Sequence, residues 1–296
     1  MNPLKKLPKN NLSMIDKLDP QNNSFNFRLT NVEYHQMALT EDFLRNLSLT
    51  IQLLQPHFTA IPLIRLGNQS DGGYVIASVF DSKICLNLGV GYEVSSDLDL
   101  LQRGFTVFAV DGTVPNPLPE ESEYKFVGKN ISYNTSNEST TDLKTIFREH
   151  PDLNKVDLIL IDIEGWEYKV FQEELDLIAK TKQLVVEFHG LELMADYKFS
   201  ERLIDILSRL SMTHKPIHVH ANNSGGTLPV GGASWPTILE VTFLMNELCT
   251  SKINHGPFPS AIDFPNVEVR PDVDLSPFFG QRRSYASLAR TILGLD

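Results

Sequence analysis

The sequence predicts an α/β protein built on a mostly parallel sheet of seven strands, with helices on both faces. First, short apolar runs alternate with segments of helical periodicity between residues 84 and 245. Second, several of these runs end in glycine or in acidic residues, as strands do at the ligand-binding edge of an open α/β sheet. Third, the last two predicted strands have no helix between them, which indicates an antiparallel last strand.

The amino-acid composition indicates which binding partners and which cellular compartment to expect. The chain has 296 residues, of which 42% are hydrophobic and 21% charged, as in soluble globular proteins. The net charge of −11 argues against broad binding of a phosphate backbone, so no nucleic-acid partner is expected. Two cysteines, Cys85 and Cys249, cannot form a disulfide framework and suit a reducing compartment. No apolar run is long enough for a membrane helix and no secretory signal is recognisable, so we expect a cytoplasmic protein.

Four segments are predicted along the chain. Residues 1–39 are polar and read as an N-terminal arm. Residues 40–64 contain an accessory helix, because apolar residues recur at helical spacing until Pro56 ends it. Residues 65–249 form the main domain. Residues 250–296 are expected to wrap that domain as a C-terminal tail, with a short helix at 285–293.

The main domain opens with a predicted hairpin. Asp71, Gly72 and Gly73 lie between two apolar runs, which is a hairpin signal. The segment is either only a turn before the sheet, or a wall that presents Arg65, Asp71 and Tyr74 beside a ligand site. Both interpretations remain open at this point.

The next stretch predicts a cradle for a nucleoside. A strand at 84–88 runs into Gly89 and Gly91, a short helix follows, and a second strand ends in Asp111. Glycines let the backbone approach a ligand, and an acid about 20 residues later can accept hydrogen bonds from ribose hydroxyls. A dinucleotide is disfavoured because Val94 stands where its fingerprint needs a third glycine. Carboxylates without a basic residue favour the cationic sulfonium of S-adenosylmethionine, with NAD or a ligand-free turn as alternatives.

The remaining strands place polar residues at one edge of the sheet. A strand is predicted at 124–131 and a helix at 142–149. The apolar run at 156–161 ends in Asp162 and Glu164, and the run at 183–189 contains Glu187 and His189. In the sixth strand, at 216–222, His218 and His220 share one face because they are two residues apart. A glycine-rich connection at 224–235 leads to the seventh strand at 238–245.

Several of these motifs together resemble FkbM-type S-adenosylmethionine-dependent methyltransferases. The motifs are Leu-Gly-Val-Gly-Tyr-Glu at 88–93, Ile-Asp-Ile-Glu-Gly-Trp-Glu at 161–167, Val-Glu-Phe-His at 186–189 and His-Val-His-Ala-Asn at 218–222. The upstream Arg-x-Gly and Asp-Gly-Gly-Tyr elements resemble a methyltransferase-like branch of that group. The resemblance covers about residues 65–246. It implies a class I methyltransferase fold, Rossmann-like, and O-methylation of a hydroxyl on a sugar or other small molecule.

Roles for individual residues follow as hypotheses. We assign the methyl donor to the glycine turn and the ends of the neighbouring strands, at Gly89, Gly91, Glu93, Asp111, Gly112 and Asp162. Asp162, Glu187 and His189 are the candidate catalytic residues, with His189 or Glu187 as the base. The candidate acceptor contacts are Arg65, Asp71, Tyr74, Glu164, His218 and His220.

Two further interpretations stay open. Carboxylates and imidazoles can hold a divalent ion, and the residues available for it are Asp162, Glu187, His189 and His220. Such a site would make the protein a metal-assisted methyltransferase or a metal hydrolase. The other interpretation is a non-catalytic domain that binds the cofactor and serves as an interaction module.

Overall fold

The computed structural model of the chain describes residues 41–132, 136–230 and 233–280. The predicted arm at 1–39 and the helix predicted at 285–293 lie outside these residues. Cys85 is buried and Cys249 is half-buried, and both are free thiols. None of the helices in the described ranges combines the length and the hydrophobicity that crossing a membrane requires.

The described strands, in chain order, are β1 (His57–Thr59), β2 (Leu63–Leu66), β3 (Tyr74–Ala77), β4 (Ile84–Leu88), β5 (Thr106–Val110), β6 (Tyr124–Val127), β7 (Asn130–Ile131), β8 (Thr140–Thr141), β9 (Leu158–Ile161), β10 (Gln183–Phe188), β11 (His214–Ala221), β12 (Thr227–Val230), β13 (Ala233–Pro236), β14 (Leu239–Met245) and β15 (Cys249–Ile253). The described α-helices are α1 (Glu41–Leu53), α2 (Ser95–Gln102), α3 (Leu143–Glu149), α4 (Glu167–Ile178), α5 (Tyr197–Leu210) and α6 (Ser276–Phe279). Short 3-10 turns lie at Pro151–Lys155, Leu191–Ala195 and Asn246–Leu248.

The central sheet has the strand order β11-β14-β10-β9-β4-β5-β6. Strands β10, β9, β4, β5 and β6 are parallel to their neighbours in this series, whereas β14 is antiparallel to both β10 and β11. The prediction of a seven-stranded, mostly parallel sheet of the class I methyltransferase type with an antiparallel last strand is confirmed. The chain leaves β4 toward β5 on one side and later returns to β9 on the other. The strand order therefore reverses at β4, where open α/β sheets bind ligands beyond the carboxyl ends of their strands.

Two predicted elements differ from the structure. The third strand ends at Val127, and Asn130 and Ile131 pair instead with β8 in a separate small sheet. The glycine-rich connection at 224–235 is not a plain loop, because β12 and β13 form an antiparallel hairpin within it. Each of these two strands has only four residues, so the sequence of this glycine-rich segment shows no clear alternation of polar and apolar residues.

Each face of the sheet carries its own hydrophobic core. On one face, helices α1, α4 and α5 bury residues such as Leu47, Phe171 and Leu203 against the sheet. On the other face, α2 and the β2–β3 hairpin bury residues such as Leu100 and Ile76. The protein therefore has three layers, and its ligand-binding edge is the one at which β4, β9 and β10 end.

The predicted hairpin is confirmed and is fixed firmly to the sheet. Strands β2 and β3 are antiparallel, with Leu66 paired to Tyr74. The Gln183 side chain accepts a hydrogen bond from the Ala77 amide at 3.0 Å and donates one to its carbonyl at 2.9 Å. These bonds fix the end of β3 at the start of β10, whereas Tyr74, next to the turn, lies near Asp162 and Glu187 at the carboxyl edge.

The described part of the C-terminal segment packs back on the main domain. Strand β15 pairs with β1, so the end of the main domain meets the residues that follow α1. Further along, Phe278 and Phe279 are buried in the core. Asp263 and Asp272 in the same segment reach histidines of β11.

Candidate active site

Gly89 follows β4 and is required by the protein's own packing. Its φ is +83°, and a Cβ at this position would lie 1.6 Å from the carbonyl oxygen of Asp162. The Gly89 amide donates to the Val110 carbonyl at 3.0 Å, which continues the pairing of β4 with β5. The turn can therefore lie against the end of β9 only because residue 89 has no side chain.

Gly91 differs because the space beside it is free. Its φ is +59°, and a Cβ there would meet no atom of the described residues within 4 Å. The next side chain, Tyr92, is 79% exposed. A ligand can therefore approach the backbone of this turn from the side of Gly91.

Asp111 fastens the glycine turn to the end of β5. Its Oδ2 accepts hydrogen bonds from the amides of Val90 at 2.9 Å and Gly91 at 2.8 Å. Its Oδ1 accepts from the amide and the hydroxyl of Thr113, both at 2.6 Å. Burial opposes ionisation, but these four bonds outweigh it and lower the pKa of Asp111. A carboxylate has about four acceptor positions, so the predicted ribose contact requires ligand hydroxyls to replace or share some of these donors.

Glu93 and Gly112 both have structural roles: Glu93 accepts hydrogen bonds from neighbouring segments, and Gly112 lies where a side chain would not fit. Glu93 accepts hydrogen bonds from the Asn68 side chain at 2.8 Å and from the amide and hydroxyl of Ser95, both at 3.0 Å. It thereby joins the hairpin turn to the start of α2. A Cβ on Gly112 would lie 2.4 Å from the amide nitrogen of Asn130. Their contacts with the cofactor stay predictions.

The hairpin turn forms one side of the site. Arg65 donates to the carbonyls of Asn68 at 2.6 Å and Ser70 at 3.0 Å, and its guanidinium lies 5.3 Å from the centre of the Phe264 ring. Asp71 accepts a hydrogen bond from the Asn266 side chain at 3.2 Å.

Tyr74, at the start of β3, is buried close to the acidic end of the site. Its burial, together with the charges of Asp162 and Glu187, raises the pKa of Tyr74 well above its usual value. Its phenol therefore remains protonated near these carboxylates.

Beside the glycine turn, four carboxylates surround one imidazole. His189 Nδ1 lies 3.0 Å from Glu167 Oε1. Its Nε2 lies 3.4 Å from Glu187 Oε1, 3.5 Å from Glu164 Oε2 and 3.7 Å from Asp162 Oδ1. The three predicted catalytic residues are thus brought together, because β9 and β10 are adjacent parallel strands that end at the same edge. We call Asp162, Glu164, Glu167, Glu187 and His189 the acidic cluster.

Glu167 organises this cluster, although sequence reasoning assigned it no role. It is fully buried, and its Oε1 accepts the amides of Ile163 at 3.2 Å and Gly165 at 3.1 Å in addition to His189. These bonds hold the loop in which Glu164 has a φ of +54°, a left-handed conformation that is costly for a residue other than glycine. The only sequence signal was an acid at the start of a helix that follows the Asp-Ile-Glu-Gly motif.

The charges in the cluster perturb one another. Burial alone would lower the pKa of His189, but the hydrogen bond with Glu167 and the charges of Glu187 and Asp162 raise it to about 10. Burial raises the pKa of Asp162 to about 7, because the attraction of His189 does not offset burial and the repulsion from Glu164 and Glu167. Burial and the repulsion from Asp162 likewise raise the pKa of Glu187. One imidazolium does not neutralise the four acids around it.

His218 and His220 do not join the acidic cluster. His218 Nε2 lies 2.9 Å from Asp263, and the two ring nitrogens of His220 lie 3.2 Å from Glu240 and 3.1 Å from Asp272. Both nitrogens of His220 therefore have carboxylate partners, and its role as a metal ligand stays a prediction. Within the part of the chain that the structure describes, the group with metal-ligand spacing contains Glu164, together with Asp162 and His189. Contacts of His218 and His220 with an acceptor stay predictions, and in the structure they bind the C-terminal segment.

Asp97 is a second buried acid that sequence reasoning did not single out. It accepts hydrogen bonds from the Asn87 side chain at 2.8 Å and from the Tyr124 hydroxyl at 3.1 Å. Burial raises its pKa to about 6 despite these two donors. The Asn87 side chain, near the end of β4, thus binds an acid of α2.

Comparison with known proteins gives a match to a family model over part of the chain and three distant structural likenesses. Residues 75–211 match the model of the methyltransferase FkbM domain. No curated protein sequence matches the chain. A chain of the fibrillarin/Nop5p complex is 10% identical, with 56% of this chain and 74% of that one covered and a TM-score of 0.37.

Two methyltransferases are similarly distant. The 16S rRNA (adenine(1408)-N(1))-methyltransferase from Catenulisporales acidiphilia is 12% identical, with coverages of 63% and 98% and a TM-score of 0.31. The Burkholderia thailandensis 1,6-didemethyltoxoflavin-N1-methyltransferase, solved with S-adenosylhomocysteine, is 12% identical, with coverages of 72% and 84% and a TM-score of 0.27. Residue roles therefore rest on the geometry of this site.

Proposed function

We propose that this chain, whose residues 75–211 match the model of the methyltransferase FkbM domain, transfers a methyl group from S-adenosylmethionine to a hydroxyl of a sugar or another small molecule. One observation carries the proposal. The glycine turn, open at Gly91 and fastened to Asp111, lies directly against Asp162 of the acidic cluster. These contacts support a donor site at the glycine turn that shares one edge of the sheet with the carboxylates that would accept the proton.

The chemistry of the turn fits this methyl donor. The free space beside Gly91 admits a ligand to the backbone, and Asp111 is an ionised acceptor beside that space. The acidic cluster suits the positive charge of a sulfonium, whereas the two phosphates of a dinucleotide would be repelled. S-adenosylmethionine supplies an activated methyl group, so the protein has to bind, orient and deprotonate the acceptor.

The acidic cluster would position the acceptor and take its proton. Asp162 is 33% exposed in its side chain, so one of its oxygens is accessible to an acceptor hydroxyl. Glu187 and His189 lie behind it at 3.4 Å from each other and complete the group that can share the proton. Orienting two reactants contributes up to roughly 7–11 kcal/mol, and a positioned base contributes roughly 10²–10⁴-fold in rate.

The hairpin turn and Glu164 are proposed to form the acceptor side of the site. Glu164 is 84% exposed in its side chain and extends over His189. Asp71 lies at the tip of the hairpin, and Arg65 fixes the shape of that tip through two backbone carbonyls. These polar groups favour a hydroxyl-rich acceptor over an apolar one.

Ligand binding is tested first, by thermal unfolding with S-adenosylmethionine, S-adenosylhomocysteine or NAD. A ligand at about 100 times its Kd adds roughly 2.7 kcal/mol of stability. For a domain of this size the melting temperature should then rise by roughly 5–10 °C. We expect the rise with the first two ligands, and stabilisation by NAD alone would overturn the choice of cofactor.

Catalysis is tested by the release of S-adenosylhomocysteine in the presence of a panel of sugars and small hydroxyl compounds. With an accepted substrate, Asp162→Asn should lower kcat by roughly 10²–10⁴-fold. Asp176→Asn, an exposed change on α4 outside the acidic cluster, is the matched control. Turnover by Asp162→Asn at the rate of this control would contradict the proposed role of the carboxylate. Cofactor binding without turnover on any acceptor would favour the non-catalytic alternative.

A further inference from the structure

We infer that Asp162, Glu164 and His189 form a binding site for one divalent metal ion. One ligand atom from each of these residues lies within 4.8 Å of the other two. Ligand atoms held about 2.1 Å from an ion are about 3 Å apart when adjacent and about 4 Å apart when opposite. The distances from His189 Nε2, 3.5 Å to Glu164 and 3.7 Å to Asp162, lie between these values.

His189 is oriented as a metal ligand. Glu167 Oε1 accepts two backbone amides, so it is a carboxylate oxygen that also accepts the Nδ1 proton of His189. This leaves Nε2 as the nitrogen that faces Asp162 and Glu164, and an ion would replace the proton there. A carboxylate that receives the second ring N–H is the common support of a metal-bound histidine. The hydroxyl of Tyr168 fixes the same residue further by donating to its carbonyl.

An independent observation points to a ligand at this position. Asp162 Oδ1 is buried and accepts no hydrogen bond from the described residues. An acceptor without a donor is costly in a buried position, and this oxygen faces Nε2 of His189. A cation between the two atoms would satisfy the oxygen and reduce the repulsion among the surrounding acids.

The kinds of ligand atom in the site indicate which ion it would bind. Two carboxylates and one imidazole suit Mn²⁺ or Zn²⁺ better than Ca²⁺, which prefers oxygen ligands alone. Glu187 lies next to the site, but its Oε1 already accepts the Asn222 side chain at 3.0 Å. Exposure of Glu164 leaves one side of the ion open to water or to an acceptor.

The catalytic meaning of the ion rests on the proposed function, whereas metal binding does not. An acceptor hydroxyl bound to the ion would have a lowered pKa. Its O–H bond breaks as the O–CH₃ bond forms and the bond between the donor's sulfur and the methyl carbon breaks. The proton passes to Glu187, beside the site. No oxidant or reductant is needed.

Mn²⁺ binding to the full chain tests the site. After treatment with a chelator, the protein is titrated with Mn²⁺, and free Mn²⁺ is followed by electron paramagnetic resonance. We expect one ion per chain, and an affinity that falls roughly tenfold or more in Glu164→Gln. This residue is exposed, so the variant should fold, which circular dichroism checks. Glu247→Gln is the control, because Glu247 is exposed near the opposite edge of the sheet and should leave binding unchanged.

Competition with Zn²⁺ identifies the preferred ion, since Zn²⁺ should displace Mn²⁺ from the same site. Absence of Mn²⁺ and Zn²⁺ binding would overturn the inference. So would equal affinity in Glu164→Gln and the control, which would indicate an adventitious ion only. The same metal-free preparation is titrated with S-adenosylhomocysteine by calorimetry. Mn²⁺ binding without nucleoside binding would leave the metal site and remove the proposed function, and the reverse result would remove only the metal site.

Discussion

Substituting the two glycines of the turn separates a structural role from a ligand-binding role. Gly89 and Gly91 both have positive φ, +83° and +59°, so alanine costs about 1–2 kcal/mol at either position. The space around them differs. A Cβ on Gly89 would lie 1.6 Å from the Asp162 carbonyl, whereas a Cβ on Gly91 would meet none of the atoms in the described ranges within 4 Å. Gly89→Ala should therefore destabilise the fold, whereas Gly91→Ala should mainly affect the ligand.

The magnitude for Gly89→Ala follows from the overlap. A carbon and an oxygen approach to about 3.3 Å, so the carbonyl has to move by about 1.7 Å. This movement disturbs the hydrogen bonds from Asp162 N to the Leu88 carbonyl and from Gly89 N to the Val110 carbonyl. Each is worth about 1 kcal/mol, and overpacking adds about 1–3 kcal/mol. With the backbone cost, Gly89→Ala should lose about 4–7 kcal/mol, against about 1–2 kcal/mol for Gly91→Ala.

Urea unfolding measures the stability of both variants, and calorimetry with S-adenosylhomocysteine measures their affinity. Gly91→Ala should lower the urea midpoint only by the amount that about 1–2 kcal/mol predicts, far less than Gly89→Ala, but bind at least roughly tenfold more weakly, a loss of about 1.4 kcal/mol. Wild-type affinity in Gly91→Ala would refute the approach of the nucleoside to this turn. Equal stability of the two variants would refute the tight contact between Gly89 and Asp162.

Three further predictions concern buried charges. Asp111→Ala should weaken S-adenosylmethionine binding strongly, because the ribose would lose its carboxylate. Thr113→Val removes only one of the hydrogen bonds to that carboxylate and should weaken binding less. Unchanged affinity of Asp111→Ala by calorimetry would contradict the assignment of Asp111 to the ribose. The pKa of Asp97 rises from 3.8 to about 6 on folding, so the free energy of unfolding falls by up to about 3 kcal/mol as pH rises through that interval. In urea unfolding, Asp97→Asn should therefore show a weaker dependence of stability on pH than wild type. An equal dependence on pH would count against a titrating buried acid at this position. Burial alone would lower the pKa of His220, but hydrogen bonds with Asp272 and Glu240 raise it to about 10. The stability that the charged imidazole contributes is therefore complete below about pH 6.5 and is lost as pH rises toward 10. In thermal unfolding, His220→Gln should lose less stability at alkaline pH than wild type, and an equal loss would exclude the titration of His220 as the cause.

The sheet was predictable because each strand is a short apolar run with a clear end. The predicted and observed bounds of β4 agree, since glycines follow the run directly. The closeness of Asp162 and His189 was also predictable, because the carboxyl ends of adjacent parallel strands, and the residues that follow them, lie at the same edge of the sheet. The third strand was predicted too long, since nothing in the pattern shows that residues 130 and 131 pair with β8 instead of continuing β6.

Contacts between distant segments were not predictable from the sequence. The partners of His218 and His220 lie in a proline-rich segment without periodicity, and Asp272 is 52 residues away from His220. Asp97 resembles an acid that favours a helix N-terminus, yet Asn87 and Tyr124 bury it and bind both of its oxygens. The roles of Glu167 and Asp97 depend on packing in three dimensions, which no local pattern encodes.

A crystal structure with S-adenosylhomocysteine would show whether the methyl donor binds between the glycine turn and the acidic cluster. We predict that the nucleoside lies against the backbone at Gly91, with its ribose within hydrogen-bond distance of Asp111. The sulfur should point toward Asp162 and His189. A nucleoside bound away from Gly91, or a sulfur directed away from the acidic cluster, would contradict the account.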